Sequence, residues 1–200
     1  MEEAYKANKF AFVSDYARLT VLYEEGGFYM DTDVEVVRSL DALLKFNAVA
    51  GFEERKYVMT GFLGTVRHNP IVYEWLDAYR NRHFIKPNGS YDTTTNVHVF
   101  TDILVKHGLV RNGCWQTVDG VELFPMEYFS PKDYYTERIN TTPSTYTIHH
   151  FMRSWGDYES IKERTLRRYR LLNKLYFMPH ILGKRLLGEK YERLKRRMKE

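Results

Sequence analysis

The junction Leu22-Tyr23-Glu24-Glu25-Gly26-Gly27-Phe28-Tyr29-Met30-Asp31-Thr32-Asp33 constrains this chain more than any other stretch. In front of it, Ser14 to Glu25 reads as a helix that is apolar on most sides. Glycine tolerates the left-handed conformation just beyond a helix end, so Gly26-Gly27 marks the stop. Behind it, Phe28 to Val37 is rich in aromatic and β-branched residues and reads as a strand. A helix that passes through two glycines straight into a strand sets an α/β class.

Asp31 and Asp33 sit two residues apart inside that run and share one face if the strand stays regular. Acids near a strand end can simply face water or cap a turn. Here Val34, Val36 and Val37 follow, a context in which an unpaired charge is expensive to bury. A bound divalent cation would offset that expense. Oxygen ligands at this spacing suit a hard ion such as Mg²⁺ or Mn²⁺, which can in turn bridge to a diphosphate.

The rest of the chain continues the α/β pattern. Ala48 to Phe52 and Tyr57 to Thr65 read as short strands, and Asn69-Pro70 starts a helix whose buried stripe is Ile71, Trp75, Leu76 and Tyr79. After a turn at Asn88-Gly89, the polar run Thr93 to Asn96 caps a helix that stops at Gly108. Val110 to Phe124 reads as a hairpin about Asp119-Gly120, and Tyr146 to His150 as a last strand. From Ile161 onward the pattern is a basic amphipathic helix interrupted near Pro179. The expected organisation is an α/β domain over 1–158 and a helical tail over 159–200.

Two hundred residues with 44% hydrophobic and 16% aromatic content support a single packed core. The single cysteine, Cys114, cannot form an internal disulfide; this fits a reducing compartment, excludes cysteine-rich zinc sites, and leaves Cys114 as a small buried or strand residue. Met1 is followed by Glu2 and Glu3 rather than by a basic end and an apolar run, and no segment is apolar for long enough to span a bilayer. The expected location is the cytoplasm. Charge is unevenly spread: residues 161–200 carry 14 Lys/Arg against 4 Asp/Glu, a net of +10, which leaves residues 1–160 with 16 against 22, a net of −6.

Asp15 and Arg18 lie three apart on one face of the first helix, as a local ion pair would. Polar groups converging on a pocket, where a sugar offers hydroxyls, would look the same. Taken with the aspartate pair, the block Ser14-Asp15-Tyr16-Ala17-Arg18-Leu19 and Leu22 to Asp33 closely resembles the DXD-motif sugar transferases of glycosyltransferase family 32, which include capsular polysaccharide transferases and fungal mannosyltransferases. The resemblance runs on through Gly51-Phe52-Glu53, Thr60-Gly61-Phe62, Pro125 to Pro131 and His149 to Trp155, and so covers about Ala4 to Trp155.

This resemblance implies a GT-A fold, a Rossmann-like α/β core that binds a nucleotide-sugar. It implies that Asp33 coordinates Mn²⁺ or Mg²⁺ on the diphosphate, while Asp31 reaches toward the ribose, the sugar or a metal-bound water. Asp15 and Arg18, with Thr60 and Gly61, match positions that hold the donor sugar; Tyr29 joins Asp31 on the nucleotide side; Ser154 and Trp155 match a loop that closes over the diphosphate. His149 or His150 completes the metal site; strand alternation points them to opposite faces, which favours a single ligand, with His149 preferred. The implied reaction retains anomeric configuration, by front-face attack without a protein nucleophile, onto a glycan or lipid-linked glycan acceptor in polysaccharide biosynthesis. Relatives begin with a further strand, helix and strand that build the base-binding side of the pocket. Against that pattern, the chain is expected to be a truncated product, or to need another chain that supplies this half. Thr95-Asn96 stands where many relatives carry Gly-Pro, so acceptor choice does not transfer.

Two other function classes compete. A haloacid-dehalogenase-type phosphatase fits Met30 to Val34, yet needs a later acidic pair, and no Asp-Asp occurs in the chain. A non-catalytic binding module would work through the basic tail. There Leu171, Leu175, Tyr176, Phe177, Ile181, Leu182, Leu186 and Leu187 interleave with Lys and Arg as in a helix on an anionic membrane surface, and nucleic acid is not the expected partner. A solvated helix packed on the domain is the plainer alternative.

Overall fold

The structure, a computed structural model, describes residues 2–80, 82–133, 137–152, 178–179, 182 and 185–187. It divides into two units, Met1–Lys132 with Asn140–Met152, and Asp133–Ile139 with Arg153–Glu200. The first unit is mixed α/β. Its elements in chain order are α1 (Glu2–Lys6), α2 (Phe10–Glu25), β1 (Gly27–Met30), β2 (Val34–Val36), a 3-10 turn (Asp41–Leu43), β3 (Ala48–Glu54), β4 (Tyr57–Val58) and β5 (Phe62–Thr65). Then follow α3 (Pro70–Asp77), α4 (Asn96–Lys106), β6 (Gln116–Val118), β7 (Val121–Phe124), α5 (Met126–Phe129) and β8 (Thr147–His149).

Five strands lie in the order β1-β5-β3-β7-β6, with β4 paired to β3. Only β3 and β7 run parallel, Ala48 opposite Val121 through Gly51 opposite Phe124; the other pairs are antiparallel. On one face, Ala48, Ala50, Phe52, Leu63 and Leu123 meet Leu19 and Leu22 of α2, Ile71 and Trp75 of α3, and Phe100 and Leu104 of α4. Trp75 and Phe100 stack at 4.1 Å. On the other face Val49, Phe62 and Phe124 meet Leu43, Phe129 of α5 and Tyr146. A strand that is buried on both faces reads as an unbroken apolar run, which is why Ala48 to Phe52 is buried throughout.

Local chemistry fixes the boundaries. Asn69 caps α3 through its side chain, which accepts from Ile71 N at 2.9 Å and Val72 N at 3.3 Å, with Pro70 at the first helical position. Gly26 and Gly27 have φ of 70° and 92°, so the stop of α2 needs glycine at both. The helix begins earlier than expected, at Phe10, and although apolar residues lie all round it, Val21 and Phe10 are exposed while Leu19 and Leu22 are buried.

Four expectations are corrected. The single strand Phe28 to Val37 is two short strands in different sheets: β1 pairs with β5, whereas β2 pairs with β8, Val34 opposite His149. Tyr57 to Thr65 likewise breaks between β4 and β5, and the hairpin about Asp119-Gly120 starts at Gln116, not Val110. Cys114 is exposed and outside any strand, because residues 110 to 115 form a loop closed by the Gln116 side chain, which accepts from Val110 N and donates to Val110 O.

In the second unit, Glu137 N donates to the Asp133 carbonyl and Asp133 N to that of Arg138. Met178, Pro179, Leu182 and Arg185 to Leu187 are helical and exposed. The remainder of the expected tail helix lies outside the described residues, as do Ser154 and Trp155. Among the described residues no helix is long and apolar enough to cross a membrane.

Candidate functional site

The break between β1 and β2 is where the site forms. Asp31 N donates to Gly61 O at 2.8 Å and Val34 N to Asp31 O at 3.0 Å, which turns Asp31-Thr32-Asp33 out of the strand. The two carboxylates therefore converge from a turn rather than from one strand face. β8 supplies the third group: Asp31, Asp33 and His149 each offer one ligand atom, and these atoms lie within 4.8 Å of one another.

Each member is held in place. Asp33 Oδ2 accepts from Met152 N at 2.8 Å, its carbonyl accepts from His150 N at 2.9 Å, and Oδ1 lies 3.4 Å from His149 Nε2. Asp31 Oδ1 accepts the Tyr29 hydroxyl at 2.5 Å and lies 3.2 Å from Arg18 Nη1. His149 Nδ1 is buried with no hydrogen-bond partner. Burial pushes the His149 imidazole below its ordinary range, against the pull of Asp33 and Asp31, and so favours the neutral ring that has a lone pair to give. Gly61 opens the space, since a Cβ there would stand 3.1 Å from Asp31 Oδ2 and 3.2 Å from His149 Cε1. An orphaned imidazole nitrogen, two carboxylates and a cradle that a methyl would fill suit a divalent cation. The carboxylates suit Mg²⁺ or Mn²⁺, and the imidazole adds weight to Mn²⁺.

Beside this cluster lies a buried polar group built on α2. Arg18 Nη2 is 3.1 Å from Asp15 Oδ1, and Nη1 donates to Thr60 O at 3.0 Å. Its guanidinium lies 4.5 Å from the Tyr29 ring centre. Both Asp15 and Arg18 are buried, and Arg18 also reaches Asp31, so the pair is more than a local ion pair on α2. Asn96, at the start of α4, donates to Asp15 Oδ1 at 2.7 Å. Burial pushes Asp15 up to about 7, with Arg18 opposing and Asp31 adding. Burial also raises the Tyr29 hydroxyl, helped by its hydrogen bond to Asp31. Glu53 on β3 is pushed up to about 8, by burial first and then by Glu54 and Asp31.

The structure thus brings together Asp15, Arg18, Tyr29, Asp31, Asp33, Thr60, Gly61 and His149. His150 is turned to the other face, where its Nε2 lies 2.8 Å from Glu35 Oε2, and it does not join the cluster. Two neighbours escaped sequence reasoning. Asn96 reads as a helix cap, and Glu53 carries no spacing signal beyond its place after Gly51-Phe52.

Residues 1–50 match the family model described as the glycosyltransferase sugar-binding region containing a DXD motif. The matched segment is a quarter of the chain and holds Asp15, Arg18, Asp31 and Asp33. It supports a DXD glycosyltransferase. Comparison with curated proteins and with solved structures gives no match.

Proposed function

We propose that this chain is a metal-dependent, retaining hexosyltransferase of the GT-A, family 32 type, which moves a sugar from a nucleotide-diphosphate donor to a glycan or lipid-linked glycan in polysaccharide or capsule synthesis. The observation that carries this reading is the approach of Asp31, Asp33 and His149 within 4.8 Å, next to the buried Asp15–Arg18 pair. Asp33, His149 and Asp31 would hold Mn²⁺ or Mg²⁺, which when bound stabilises negative charge on a departing diphosphate.

The chain's own residues do the positioning. Met152 N and His149 orient Asp33; Tyr29 and Arg18 orient Asp31. Arg18 is locked on Thr60 O, so Asp15, Arg18 and Asn96 form a fixed polar wall against which sugar hydroxyls can align. Gly61 keeps the space beside Asp31 and His149 open. Ser154 and Trp155 complete the proposal as residues that close over the diphosphate. An anionic inner membrane surface reached by residues 161–200 belongs to the same proposal. The membrane part is tested by sedimentation with anionic vesicles at low salt, which removal of 161–200 should abolish and without which the anchor falls.

The activity is tested by incubating the chain with a panel of nucleotide-sugars and measuring released nucleoside diphosphate with and without Mn²⁺. Mn²⁺-dependent release that Asp33→Asn abolishes is expected. Release that persists in Asp33→Asn would refute the role of the aspartate pair.

A further inference from the structure

Lys132 lies three residues beyond α5, after the buried Pro131. It is partly buried, and its Nζ donates to His150 O at 2.7 Å. Among the described residues that is its one hydrogen bond, and it makes no ion pair. A lysine fixed by a backbone carbonyl, with no carboxylate paired to it among the described residues, holds a positive charge ready for an anion.

Its position says which anion. The carbonyl it holds belongs to His150, whose own N–H is bound by Asp33 O at 2.9 Å. Two residues on, Met152 N is bound by the Asp33 carboxylate. Lys132 is thus tied to the backbone one residue beyond His149 and two before Met152, the residues that meet the Asp33 carboxylate. Among the described residues, Arg18 is already committed to Asp15 and Asp31. A divalent ion would balance Asp31 and Asp33 and leave the charge of an incoming diphosphate to be met by something else.

We infer that Lys132 is a phosphate-binding residue of this site, whose ammonium engages the diphosphate of the donor from the β8 side. The inference rests on the reading above that the cluster binds a metal and a diphosphate. A hydrogen bond to a charged group contributes enough that its loss weakens binding by at least about tenfold.

The test uses the full chain, Mn²⁺ and inorganic pyrophosphate, measured by calorimetry. Lys132→Gln keeps an N–H donor for His150 O while removing the charge, and Lys132→Arg keeps both. Mn²⁺ affinity without pyrophosphate should not fall in either variant, and the three unfolding midpoints should be equal. Pyrophosphate affinity in the presence of Mn²⁺ should fall about tenfold in Lys132→Gln and recover most of that in Lys132→Arg. Equal pyrophosphate affinity in wild type and Lys132→Gln, or no pyrophosphate binding by Mn²⁺-loaded wild type, would overturn the inference and leave the metal reading standing. No Mn²⁺ binding by wild type would overturn the metal reading, and the inference with it.

Discussion

Gly61→Ala should strike the cluster and almost nothing else. Gly61 is not among the glycines with positive φ, so alanine brings no backbone strain. Its Cβ would stand 3.1 Å from Asp31 Oδ2, 3.2 Å from His149 Cε1 and 3.4 Å from His149 Nδ1. Ordinary contacts between such atoms begin near 3.5 Å, so both side chains must move by about 0.3 Å. Metal–ligand distances tolerate about 0.2 Å. Without metal the two side chains swing aside at little cost, and bringing them back to the ligand positions meets the overlap, which on the overpacking scale of about 1–3 kcal/mol is about 1–2 kcal/mol. That corresponds to Mn²⁺ affinity weakened about 5- to 30-fold. Gly51→Ala is the contrast, because its Cβ would lie 2.6 Å from Phe129 Cδ2 in the core. It should lower the urea midpoint while Gly61→Ala leaves it nearly unchanged. Calorimetric Mn²⁺ titration of Gly61→Ala beside denaturation of both variants measures this. Wild-type Mn²⁺ affinity in Gly61→Ala, or equal loss of stability in both, would refute the reasoning.

Arg18→Ala leaves Asp15 and Asp31 without their shared cation and should destabilise the fold by about 3–5 kcal/mol, whereas Asp15→Asn, which removes a charge and keeps the volume, should cost less than half of that; equal losses by denaturant titration would contradict the bridging role. His107 joins three elements, with Nε2 2.6 Å from Glu74 Oε2 on α3 and Nδ1 against Asp119 Oδ2 in the β6–β7 turn. Its bonds to Glu74 and Asp119 raise its pKa above 6.5. The stabilisation is then full below 6.5 and lost as pH rises through the raised value, so the gap in melting temperature between wild type and His107→Gln should be widest in acid and shrink in alkali; a gap constant from about pH 5.5 to 9 would contradict it.

Much of this architecture is legible in the residues. The stop of α2 needed only Gly26-Gly27, and the start of α3 only Asn69-Pro70, since both are local chemistry. Alternation along Tyr146 to His150 is enough to send His149 and His150 to opposite faces; which of them meets Asp33 depends on the pairing of Val34 with His149, a non-local fact. The turn at Asp31-Thr32-Asp33 was hidden for the same reason. Phe28 to Met30 and Val34 to Val36 both read as strand, and their pairing with different sheets, helped by the Asp31–Gly61 backbone bond, bends the chain between them. Asn96 could not be told from a cap, because its partner Asp15 lies 81 positions away in sequence. Cys114 misled because composition speaks for average burial, while the Gln116 side chain decides this loop.

The most direct measurement is a titration of the chain with Mn²⁺ followed by electron paramagnetic resonance. One ion bound per wild-type chain is predicted, with binding lost in Asp33→Asn and in His149→Ala and kept in His150→Ala. Mn²⁺ that remains free with wild type, or that binds equally to Asp33→Asn, would contradict the account.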